Sequence, residues 1–173
     1  MTSRSYTSRS EFEQYSFSVY VTVLVPFVLI LAQAYLPAIF PRLLILDLPL
    51  IAVIFFAVGR RNPILGALTG ASIGLFQDLL TGQPIGINGI AKTVIGYSAS
   101  SIGLQVDVEN TLTRILMNFG FSILQSGLLF LIHRYMLGDP GRIPWLHELY
   151  RAIFNTLVAI PIFLLLDRTK RRE

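Results

Sequence analysis

Residues 66–96 read GALTGASIGLFQDLLTGQPIGINGIAKTVIG, and the parse of this stretch decides the fold. Gly66, Gly70, Gly74 and Asp78 recur at every fourth position, which on an α-helix stacks them along one face. The glycines open a groove for a partner backbone, and a carboxylate stands at its end. Thr81-Gly82-Gln83-Pro84 is a turn signal. Beyond it Gly89, Thr93, Gly96, Ser100 and Gly103 step by four, three, four and three, a second small-residue stripe. The stretch therefore predicts two apolar helices, 64–80 and 84–104, packed closely across a tight turn. Such small-residue faces serve helix packing within one membrane protein or between two. Gly66, Gly70, Gly74, Gly89 and Gly96 are accordingly the candidates for internal packing, with a partner interface as the alternative.

Composition says what surrounds this pair. Of the 173 residues 53% are hydrophobic and 14% charged, and mean hydropathy is +0.63. A soluble domain carries about 25% charged residues, so this chain cannot cover a globular surface with charge and is expected in a membrane. Its apolar runs are continuous rather than alternating, which argues against a β-barrel. With no cysteine, thiol chemistry, disulfides and cysteine metal sites are excluded.

Working outward, residues 17–36 form a run of about the ~20 residues a spanning helix needs. Ala32-Gln33-Ala34 imitates a signal-peptidase site, but more membrane sequence follows it, so the helix is expected to stay. A second span, 43–58, is interrupted near its start by Asp47 and Pro49. Gly59-Arg60-Arg61-Asn62-Pro63 is a basic turn, with Pro63 suited to open the next helix. Past the central pair, helices are expected at 112–136 and 146–166, separated by the loop LGDPGRIPW. Polar residues 1–16 and the basic 167–173 flank a membrane domain of residues 17–166. The expected fold class is an all-α integral membrane protein, six transmembrane helices in a compact bundle.

Counting Lys and Arg at the span ends orients the bundle. With both termini cytoplasmic, nine basic residues lie inside (Arg4, Arg9, Arg60, Arg61, Arg114 and the four of the C-terminal tail) against Arg42, Arg134, Arg142 and Arg151 outside. The net charge of +4 sits largely at the ends and loops, suiting anionic lipid headgroups rather than nucleic acid. Asp47, Asp78, Asn88 and Lys92 then fall together in the outer half of the bilayer. A buried Lys92 needs a counter-ion, and Asp78 or Asp47 can supply it. The cluster either lines a cavity or partner groove, or simply locks three helices together.

No catalytic residues, metal ligands or cofactor are expected. Residues 86–93, GINGIAKT, approach a P-loop, but Ala91 stands where the second glycine belongs and no strand precedes it. His133 and His147 are the only histidines, and the serines at 98, 100 and 101 have no base beside them on their helix.

The pattern Gly70-x-x-x-Gly74-x-x-x-Asp78-Leu-Leu-x-Gly82, Pro84-x-Gly86 and Lys92-Thr93-x-x-Gly96-Tyr97 resembles the rod shape-determining protein MreD family, as do length, span count and the basic turn before the glycine-rich helix. Asp47 before Pro49 departs from the family's usual opening of helix two, so no role is carried over to it. The resemblance implies a non-enzymatic scaffold of the bacterial inner membrane in the cell-elongation machinery. Its expected direct partner is MreC, and through it MreB filaments connect to the polymerase RodA and a class B penicillin-binding protein. The family is also similar to the substrate-binding subunits of energy-coupling-factor transporters, which makes a small-molecule (vitamin-like) binding transporter subunit the alternative function.

Overall fold

The computed structural model describes residues 15–108, 110–138, 144–168 and 171–172. Residues 1–14, 109, 139–143, 169–170 and 173 lie outside the described residues. Six α-helices run among the described residues: α1 Val19–Ile39, α2 Leu48–Arg60, α3 Pro63–Thr81, α4 Ile87–Gly103, α5 Thr111–Met136 and α6 Trp145–Asp167. Tyr15–Ser16 and Arg171–Arg172 form a short antiparallel ladder, which brings the two flanks of the helical region to one side of the bundle.

Four helices, α1, α3, α5 and α6, are long and apolar enough to cross a membrane. The two in between are shorter. At 1.5 Å per residue the 13 residues of α2 reach about 20 Å, less than the ~30 Å hydrocarbon core. The expected helix at 43–58 starts later because Pro41–Ile45 is a separate 3-10 turn. Asp47 then caps α2, its Oδ1 accepting from the Leu50 N–H at 3.1 Å, and Pro49 lies in the first turn, where its missing N–H costs nothing.

α2 is short because it is the centre. Every residue from Pro49 to Gly59 is buried. A helix apolar all round has no face to offer water and must be surrounded. Phe17 packs on Phe55 and Phe56 of α2 and Phe163 on Phe55, with ring centroids 5.1–5.5 Å apart, so α1's approach and α6 meet on the same helix.

At the basic turn Arg61 takes the left-handed conformation (φ 51°) that ends α2, and Asn62 caps α3 by accepting from the Ile64 and Leu65 N–H groups at 3.1 Å. α3 and α4 then run antiparallel in the closest contact of the bundle. A Cβ on Gly70 would strike the Lys92 carbonyl group, with its carbon 2.7 Å away, and one on Gly74 would lie 2.6 Å from the Asn88 carbonyl carbon. Gly66 and Gly96 face each other's backbone in the same way. A Cβ on Gly89 would first meet the Leu75 side chain, at 3.0 Å. The far end of α4 turns to α2: the Ser100 hydroxyl donates to the Ala57 carbonyl at 2.7 Å, and Gly103 lies against Val58.

Candidate functional site

The cluster begins where α3 meets α4. Gly82 (φ 67°) and Gly86 (φ 104°) occupy backbone regions open mainly to glycine, and between them the chain reverses so tightly that the end of α3 faces the start of α4. Gly86 has no side chain with which to cap α4. Asp78, fully buried, supplies the cap from the neighbouring helix. Its Oδ2 accepts from the backbone N–H groups of Gly86 at 2.9 Å, Asn88 at 3.1 Å and Gly89 at 3.3 Å, and its Oδ1 accepts from Asn88 Nδ2 at 2.8 Å. The segment that imitates a P-loop does cradle an anion on a helix N-terminus, and the anion is the protein's own carboxylate. Asp78→Ala would leave two buried N–H donors, of Asn88 and Gly89, and the half-buried one of Gly86 unanswered. A destabilisation of about 2–3 kcal/mol is expected, read as a drop of roughly 5–10 °C in thermal unfolding of the detergent-solubilised protein; an unchanged midpoint would refute the cap.

Lys92, one turn further along α4, is also fully buried. Of the two carboxylates expected as its partner, the structure pairs it with Asp47. Nζ donates to Asp47 Oδ2 at 2.9 Å, to Asn88 Oδ1 at 3.3 Å and to Gln125 Oε1 at 3.3 Å. An ammonium has three N–H bonds, and all three are engaged. Asn88 sits between the two carboxylates, its amide N–H toward Asp78 and its oxygen toward Lys92. The Asp47, Asp78, Asn88 and Lys92 grouping read from the sequence is thus one hydrogen-bonded chain.

The structure adds α5 and α6, which sequence reasoning left out. Gln125 also donates Nε2–H to Asp47 Oδ2. Asn155 accepts the Asp47 backbone N–H at 2.8 Å. Arg151, with 23% of its side chain exposed, stands 3.5 Å from Asp47 and 3.6 Å from Glu148, and Glu148 accepts from the Ser126 hydroxyl. Deeper along the same seam Asn118 Nδ2 donates to the Asn155 carbonyl at 3.3 Å. The sequence did carry a signal: Arg114, Asn118, Ser122 and Ser126 repeat every fourth residue through an apolar helix, and polar groups inside membrane helices are expensive unless partnered. Arg114 ends this stripe in an ion pair with Asp167.

Two cations, Lys92 and Arg151, balance Asp47 and Glu148, while the partial positive charge of the α4 N-terminus answers Asp78. Such a network orients helices. Beside it lies a recess of about 380 Å³ whose polar lining includes Gln33, Gln77, Asn88, His133 and Arg151. Gln33 accepts the Leu48 N–H at 3.1 Å, and His133 Nδ1 meets the Leu129 carbonyl at 2.7 Å. Among the described residues no group of three or more His, Cys, Asp or Glu is placed to hold a metal ion.

Compared with known proteins, the chain matches the family model described as rod shape-determining protein MreD over residues 14–169. No curated protein and no solved structure matches it. The match takes in all six helices and every residue of the cluster.

Proposed function

The chain belongs to the rod shape-determining protein MreD family, and from that membership we propose that it is a non-enzymatic inner-membrane scaffold of the cell-elongation complex, binding MreC and helping to couple MreB filaments to peptidoglycan synthesis. A role in rod-shape determination comes with the family itself. The observation that carries the finer reading is the closed polar network: the three N–H bonds of Lys92 are spent on Asp47, Asn88 and Gln125. A ligand for that ammonium would have to displace an internal partner. The charged groups are better employed in holding α2, α4, α5 and α6 at one geometry, and a partner must then be met largely through outward helix faces. Those faces are apolar, with Val19, Tyr20 and Leu24 on α1 and Leu157, Leu164 and Leu165 on α6 among the most exposed large side chains.

In this reading RodA and its class B penicillin-binding partner are reached through MreC, and all six helices serve as spans with both termini cytoplasmic. The short α2 crosses enclosed by other helices, and the short α4 keeps an outward face at Ile90, Val94 and Tyr97. Affinity capture of a tagged copy from native membranes is expected to bring down MreC in near-constant ratio, and depletion of the protein to turn rods into spheres. Recovery as a lone monomer from cells whose shape survives depletion would overturn the proposal.

A further inference from the structure

The seam between α1 and α3 changes character along its length. Near the start of both helices it is an apolar groove of about 370 Å³ walled by Pro26, Phe27, Ile30, Leu68, Ile73 and Phe76. Further on, Gln33 and Gln77 line the polar recess instead. Arg60 stands at the groove's first end, its Nη2–H donating to Thr22 Oγ1 at 2.8 Å and its Nη1–H to Thr69 Oγ1 at 3.3 Å. None of the ion pairs among the described residues includes Arg60. It is a half-buried cation held by two neutral hydroxyls, with three of its five N–H bonds uncommitted among the described residues.

We propose that this groove binds one acyl chain of an anionic glycerophospholipid whose phosphate rests on Arg60. Length separates this occupant from a partner's transmembrane helix. Thr22 to Ile30 on α1 spans about 12 Å and Leu65 to Phe76 on α3 about 16 Å, close to the ~15 Å of one leaflet and half of what a spanning helix requires. The chemistry agrees with the dimensions: a guanidinium fork with flanking hydroxyls recognises phosphate, and the walls below it are apolar except for Ser72, whose hydroxyl donates to the Leu68 carbonyl at 2.8 Å. The proposal rests on the membrane placement of the bundle and is independent of the partner assigned above.

The test uses the purified full-length chain in phosphatidylcholine nanodiscs doped with phosphatidylglycerol bearing a mid-chain diazirine. After irradiation, adducts are expected on peptides covering residues 22–30 and 65–76. Arg60→Gln should lower groove labelling about tenfold, the value of one lost charge-assisted hydrogen bond, while Arg60→Lys should retain most of it. Leu68→Trp, which fills the groove without touching the hydrogen bonds, should lower labelling with Arg60 intact and keeps the question answerable if Arg60→Gln does not fold. The same probe on a phosphatidylcholine headgroup should label the groove less. Equal groove labelling in every variant, or label spread evenly over the outer faces of α5 and α6, would overturn the proposal. So would a benzophenone side chain at position 68 that captures a protein helix instead of lipid in native membranes.

Discussion

Asp47→Ala is expected to destabilise the protein by about 3–5 kcal/mol, the range for breaking one side of a buried ion pair. The loss is compound. Lys92 keeps only the neutral oxygens of Asn88 and Gln125, Arg151 loses the carboxylate that stands between it and Lys92, and the Leu50 N–H loses its cap. Lys92→Met should cost clearly less, because Asp47 would still have Arg151 at 3.5 Å and the Gln125 amide. The combined variant should recover much of the Asp47→Ala loss, since no buried ammonium is then left without its partner. Thermal unfolding of the four proteins in one detergent measures all three differences. Equal effects of the two single changes, adding without coupling in the double, would rule out the pair as the organising contact.

The second large effect belongs to Gly70. Its Cβ position is occupied by the Lys92 carbonyl group, which is main chain in the middle of a helix and cannot rotate away. Gly70→Leu must push α4 off α3, and with it Lys92 away from Asp47. Loss of the folded protein on size-exclusion chromatography is expected, and even Gly70→Ala should cost several kcal/mol, at the overpacking extreme. Gly120 and Gly127 of α5 are the controls: nothing lies within 4 Å of a Cβ built there. Alanine at either should be neutral or stabilising by about 0.5–1 kcal/mol, from helix propensity alone. A tolerated Gly70→Leu would show that the close α3–α4 contact is not needed for folding.

These two predictions mark how far the sequence could be read. The glycine spacing of four in residues 66–78 is a helix-face statement, and it needs no tertiary knowledge to imply a close-packed partner. That α4 is this partner follows from the short turn between them. The identity of the cluster's core was likewise legible, because Asp47, Asp78, Asn88 and Lys92 are conspicuous as polar groups in apolar runs. Family membership came from the same short pattern and is carried by the match over residues 14–169.

What stayed out of reach was the assignment of partners. Both carboxylates were candidates for Lys92, and the decision turned on a tight reversal at Gly82 and Gly86 that commits Asp78 to the α4 backbone. That leaves Asp47 for the ammonium. Gln125, Arg151 and Asn155 lie 78, 104 and 108 residues from Asp47 in the chain, and no local periodicity connects residues so far apart. The central place of α2 was equally hidden. Its residues read as a shortened span, whereas the structure encloses it on all sides and so makes its length a matter of packing. Residues four apart on one helix share a face by backbone geometry alone, so the sequence by itself determined the class of fold and its packing stripe. Which buried charge meets which, and which helix lies at the centre, depends on contacts between distant segments, and only the tertiary structure decided them.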